Sequence, residues 1–147
     1  MKKVRDISII LKDGGQCPRY GTPRSSGADV CCIEDFTLQP GERKLVHTGI
    51  YMQLPEDVEC QVRPRSGLAL KHGITVLNSP GTIDSDYQGE CCVILINLGQ
   101  EPYSFQKGER IAQFVFCEKI IPVRFQQALD FTEKTERGEG GFGHTGK

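Results

Sequence analysis

The chain has 147 residues, enough for one domain with a substantial hydrophobic core. Its 18 basic and 19 acidic residues leave a formal net charge of −1, so no global field draws in nucleic acid or a membrane surface, and any phosphate recognition must be local. The seven cysteines are odd in number, include two adjacent pairs and show no C-x-x-C or C-x-x-H spacing. They fit neither a disulfide framework nor a zinc site, whereas buried reduced thiols in a cytoplasmic protein fit them well.

The opening M-K-K-V-R-D-I has charges but no long apolar run behind it, which argues against a signal peptide or a membrane span. Val4 to Leu11 predicts a first strand, and Lys12 to Ser26, with its glycines and prolines, a long loop. A short strand is expected at Ala28–Ile33 and a longer one at Arg43–Met52. Val58, Cys60 and Val62 alternate with Glu59, Gln61 and Arg63, the period of a half-buried strand. Ser66–Lys71 predicts a helix of a turn or two, with Ser66 as N-cap and free N–H groups behind it.

Leu77 to Glu90 reads L-N-S-P-G-T-I-D-S-D-Y-Q-G-E, with apolar runs at 74–77 and 91–96 on either side. The pattern predicts an antiparallel hairpin whose arm places Ile83, two carboxylates and Tyr87 between glycines. Glycine lets backbone approach a ligand closely, so this arm is read as the floor of a binding site. The runs 91–96 and 111–117 hardly alternate, which predicts burial on both faces, by a second sheet and by another subunit. Pro122–Phe125 is expected to close the strand series. From Thr132 onward apolar periodicity disappears and glycine dominates, marking a mobile tail. Gly141–Lys147 (G-F-G-H-T-G-K) imitates a phosphate-binding P-loop, but no strand precedes it and no helix can follow.

Five segments stand in order: S-G-A-D-V (26–30), P-R-S-G-L-A (64–69), G-T-I-D-S-D-Y-Q-G-E (81–90), G-E-R-I-A-Q (108–113) and R-G-E-G-G-F-G-H-T-G (137–146). Together they resemble the five motifs of the trimeric dUTP pyrophosphatases, over nearly the whole chain. The resemblance implies an all-β, jelly-roll-like sandwich or barrel with one short helix, over residues 1–131. A flexible Gly-rich lid over 132–147 would close on an active site. It also implies a homotrimer with sites built between subunits, and Mg²⁺-assisted hydrolysis of dUTP to dUMP and pyrophosphate. Such a reaction limits uracil incorporation into DNA and supplies dUMP for thymidylate synthesis.

Splitting a triphosphate needs an activated water, neutralised charge and in-line alignment. Asp84 matches the family's catalytic carboxylate and is the expected general base; nearby Asp86 is expected to cap a turn. Asp29 matches a carboxylate that holds the metal's water shell, through water rather than directly. Arg65, Ser66 and the Gly67 N–H are expected on phosphate. Gln113 lies in an apolar strand, where an unpaired amide is costly, and should bond phosphate or the catalytic water. Asn78, Thr82 and Ile83 fall to uracil, and Tyr87 beneath the deoxyribose, where it leaves no room for a 2′-hydroxyl. From the tail, Phe142 would stack on uracil with Gly143 beside it, while Arg137 clamps the terminal phosphates. Glu109 and Arg110 read as a solvated pair, and the three histidines lack metal-ligand spacing. The rivals are a dCTP deaminase, disfavoured by the D-S-D-Y-Q-G stretch and the glycine-rich tail, and a non-catalytic nucleotide-binding sandwich, disfavoured by the presence of Asp84 and Arg137.

Overall fold

Strands follow one another wherever β-branched and aromatic residues run between glycine, proline and aspartate turns. A computed structural model of the chain describes residues 4–118 and 121–141. Among these residues the strands are β1 (Ser8–Leu11), β2 (Arg19–Tyr20), β3 (Ala28–Cys31), β4 (Phe36–Leu38), β5 (Arg43–Val46), β6 (Ile50–Gln53) and β7 (Val58–Arg63). The helix α1 (Ser66–His72) comes next, followed by β8 (Ile74–Val76), β9 (Gly81–Ile83), β10 (Val93–Asn97), β11 (Tyr103–Phe105) and β12 (Arg110–Glu118).

Every pairing is antiparallel. The largest sheet runs β2-β3-β12-β7-β9 and the next β5-β10-β8, with two-stranded ladders β1-β6 and β11-β4. One core joins all four: Val30 and Phe114 from the large sheet, Val46 and Leu95 from the second, Met52 from β6, and Leu38 and Phe105 from the β4–β11 ladder. Ladder neighbours lie far apart in sequence, as β3 and β12 do, which is the connectivity of a jelly-roll-like β fold. Buried Asn97 ties this core together. Its Nδ2 donates to the Leu38 and Glu101 carbonyls at 3.0 and 2.8 Å, and its Oδ1 accepts from Gly99 N–H at 2.8 Å.

Several expectations are corrected. The first strand starts at Ser8 rather than Val4. Arg43–Met52 is two strands in different ladders, because Gly49 turns the chain at φ +66° and leaves no space for a Cβ against the Lys12 carbonyl. The expected hairpin is only half right. Its outer strands β8 and β10 do pair, but β9 leaves them and joins β7 in the large sheet. The short strands β2, β4 and β11 escape sequence reading because they are two or three residues long. Pro122–Phe125 forms no strand. Strand β10 alternates after all, with Val93, Leu95 and Asn97 buried and Ile94 and Ile96 half-buried. In β12 a register shift between Arg110 and Ala112 breaks the alternation, so Ile111 and Ala112 are both buried. Beyond β12, Phe125, Leu129 and Phe131 are almost fully exposed.

Candidate active site

The predicted site residues fall into two groups on the large sheet. The first gathers where β3, β12 and the end of β7 meet. Asp29 on β3 faces Gln113 on β12 in register, and Gln113 in turn faces Arg63 on β7. Both Asp29 oxygens are held: Oδ1 accepts from Arg65 Nε and Oδ2 from an Arg110 terminal nitrogen, each at 3.1 Å. Arg110 is therefore no solvated partner of Glu109, whose carboxylate instead accepts from the Gln106 N–H at 3.1 Å. Arg110 thus joins Asp29 and Arg65 in this group, which the sequence reading did not anticipate. The signal lay in the bulge that swings it onto Asp29, which no spacing rule reveals.

Gln113 donates through Nε2 to the Pro64 carbonyl at 2.8 Å, which fixes its amide orientation and leaves Oε1 as a free acceptor. Gly27 explains how that side chain fits: a Cβ there would lie 2.0 Å from Gln113 Oε1. Helix α1 begins one residue earlier than expected, with Arg65 rather than Ser66 as N-cap and no side-chain cap bond, so the exposed Ser66 hydroxyl is not a cap. Gly67 follows it, with open space around its Cα.

The second group lines a cleft of about 250 Å³ that includes Asn78, Gly81, Thr82, Ile83, Asp84 and Tyr87. Ile83 is buried, while Asn78, Thr82, Asp84 and Tyr87 are exposed. The 84–87 turn closes on its backbone, Tyr87 N–H donating to the Asp84 carbonyl at 3.1 Å, so Asp86 is not needed as its cap. Tyr87 stands half open at the mouth of the cleft. It is 46% exposed, with its hydroxyl donating to the Glu90 carbonyl at 2.9 Å. Its ring passes so close to Gly89 that a Cβ there would lie 2.5 Å from the hydroxyl oxygen. This glycine therefore makes room for Tyr87 rather than for a ligand.

Glu90 closes one wall of the cleft. Burial raises its carboxyl pKa, but the hydrogen bond from His47, the Gly49 N–H, the His47 charge and the Thr48 N–H outweigh it and hold the group below the usual carboxylate range. The thiols are all unpaired. Burial, aided by the Glu90 charge, pushes Cys91 and Cys92 each up to about 11, so neither is a thiolate nucleophile at neutral pH.

The structure does not bring the two groups together within one chain. β9 runs antiparallel to β7 with Ile83 beside Cys60, so the chain reaches Asp84 while heading away from Pro64. From Glu59 to Pro64 the strand advances about 17 Å at ~3.3 Å per residue. Arg137 lies elsewhere again, its Nε donating to Gly140 in its own turn at 2.8 Å. Phe142 and Gly143 fall outside the described residues.

A sequence model of the dUTPase family matches residues 13–146. The chain belongs to the dUTPase family. It is 52% identical to the deoxyuridine 5′-triphosphate nucleotidohydrolase of Fusobacterium nucleatum, over the full length of both. It is 55% identical to that of Clostridium novyi, over 82% of this chain and 84% of the other. Among solved structures, the Staphylococcus bacteriophage 80alpha dUTPase with dUpNHpp superposes with a TM-score of 0.86 at 25% identity, covering 98% of this chain and 100% of that one. Its G164S mutant gives 0.89 at 23% identity over the same shares. The expected jelly-roll fold and dUTPase family thus both hold, and the enzyme's reaction is hydrolysis of dUTP.

Proposed function

We propose that the chain cleaves dUTP between the α and β phosphorus to give dUMP and pyrophosphate, in sites shared between three copies. The observation that carries this reading is the separation of the two groups. A base at Asp84 and phosphate contacts at Arg65, Ser66 and Gly67 must meet at one phosphorus, and ~17 Å of strand keeps them apart within a chain. A neighbouring copy resolves the conflict by bringing its own Asp84 cleft to this chain's Asp29–Arg65–Gln113 corner. The exposed apolar side chains at 125–131 and the half-buried Ile94 and Ile96 support a further surface between copies.

In this reading Asn78 and the 81–83 backbone select the uracil edge, and close fit excludes thymine's methyl. Tyr87, held by the Glu90 carbonyl, lies under the sugar and excludes a 2′-hydroxyl. Asp84 takes a proton from the attacking water. Gln113, tied to Pro64, offers Oε1 to orient that water. Arg65 and Arg110, half neutralised by Asp29, keep net positive charge facing the triphosphate. Neither group contains a cage of carboxylates, and both Asp29 oxygens are engaged, so this donor set fits a Mg²⁺ that keeps its waters and arrives on the phosphates. Asp29 would touch it through water, and the ion would supply charge neutralisation on the phosphate oxygens. Arg137, once released from Gly140, would clamp the terminal phosphates, with Phe142 and Gly143 closing over uracil as a lid from another copy. A reducing compartment such as the cytoplasm suits seven unpaired thiols, and no helix among the described residues is long and apolar enough to cross a membrane.

Pyrophosphate release measured with Mg²⁺ on dUTP, dTTP, dCTP and UTP tests this reading. Turnover confined to dUTP is expected. Equal turnover of dTTP or UTP would remove the specificity assigned to the cleft, and a deaminated product from dCTP would favour the rival enzyme.

A further inference from the structure

The wall of the cleft holds a cluster that the hydrolysis does not use. In the antiparallel register Val46 faces Val93, so the next pair outward sets His47 opposite Cys92. Glu90 reaches the same place from the turn that carries Tyr87. Its Oε2 lies 2.8 Å from His47 Nδ1, and that nitrogen lies 3.6 Å from Cys92 Sγ. One imidazole nitrogen, one carboxylate oxygen and one sulfur fall within 4.8 Å of one another.

We propose that His47, Glu90 and Cys92 form a binding site for a borderline-soft divalent cation, of which Zn²⁺ is the best match, distinct from the Mg²⁺ of the reaction. The donor set is the mixed nitrogen, oxygen and sulfur that zinc takes. Bond lengths of ~2.3 Å to sulfur and ~2.05 Å to nitrogen at a tetrahedral angle place the two donors about 3.6 Å apart, which is the spacing found. The His47–Glu90 contact is a hydrogen bond in length, and the pair must open by roughly 0.5 Å to admit an ion between nitrogen and oxygen.

The carboxylate is oriented for this. Glu90 Oε1 accepts from the backbone N–H groups of Thr48 and Gly49 at 3.2 and 2.9 Å, which leaves Oε2 aimed at the other two donors. Metal ligands characteristically have such outer hydrogen bonds. Binding replaces the thiol proton of Cys92, which leaves as the ion enters. Three protein ligands leave a fourth position for water. The ion would pin the turn at 47–49 to Glu90, whose own carbonyl receives the Tyr87 hydroxyl, and so would stiffen the side of the cleft assigned to the sugar.

Titration of the full-length, nucleotide-free protein with Co²⁺ tests the site, because a thiolate–cobalt bond gives a charge-transfer absorption and a tetrahedral centre gives intense visible bands. The expected result is one Co²⁺ per chain with both signatures, displaced by Zn²⁺. Cys92→Ser should abolish the charge-transfer band, and His47→Gln should weaken binding by at least ~10-fold. Cys17→Ser, which alters the exposed thiol, should leave the spectrum as it is. Absence of the thiolate band at stoichiometric cobalt would overturn the proposal and leave an ion pair beside an idle thiol. A band that survives Cys92→Ser would overturn it equally, by assigning the metal to another cysteine.

Discussion

At the residue scale, two carboxylates two residues apart compete for the proposed role of general base. Asp84 and Asp86 both stand exposed beside the cleft, but only Asp84 lines it together with Asn78 and Tyr87. Asp84→Asn keeps the shape and removes the proposed base, so kcat should fall by ~10² to 10⁴ while dUTP affinity stays close to that of the parent. Asp86→Asn should have a small effect, and the reverse order in steady-state kinetics would exchange their roles. Gly27 makes a second case. A methyl at that position would meet Gln113 Oε1 at 2.0 Å and push the amide off Pro64. Gly27→Ala should therefore lower turnover with little change in the far-ultraviolet circular dichroism spectrum. An unchanged kcat in that variant would show that Gln113 has no part in the reaction.

Elements show where sequence reading succeeds and where it stops. Period-two patterning located β7, and the apolar runs located β10 and β12, because strands that line the core are rich in apolar residues whether or not their burial alternates. Asp29, Arg65 and Gln113, singled out in the sequence, do lie together at one corner of the large sheet. Register was not legible. Arg110 on Asp29, and His47 opposite Cys92, depend on which strands pair and where a bulge falls, and neither is local information. The hairpin reading was half right for the same reason: β8 and β10 pair, but β9 had to choose between β10 and β7, and local propensity is silent on that choice. Buried Asn97 ends the apolar strand β10, where its polarity reads as a flaw, yet its three side-chain bonds tie it to Leu38, Gly99 and Glu101. Asn97→Ala should cost about 2–4 kcal/mol, from three lost hydrogen bonds and the groups left unpaired. Urea unfolding of the two proteins measures this, and a difference below about 1 kcal/mol would mean that water replaces the amide at little cost.

The whole molecule, as a single chain, is unfinished in two respects. Its apolar C-terminal side chains from Ile121 to Phe131 lie open, and its two half-sites face different ends of one sheet. The proposed closed three-fold assembly, in which each copy donates one half-site to a neighbour, would resolve both. Light scattering should accordingly report a trimer, and a stable, active monomer would contradict it. The claim that matters most is the sharing itself. Co-refolding Asp84→Asn with Arg65→Ala chains in equal amounts tests it directly, since each variant alone lacks one half of every site. If halves come from different copies, random mixing restores an intact pair in about a quarter of the sites, and activity should rise toward that fraction of the parent's. If subunits demonstrably mix and dUTP hydrolysis stays at the level of the separate variants, both halves act within one chain and the shared site is wrong.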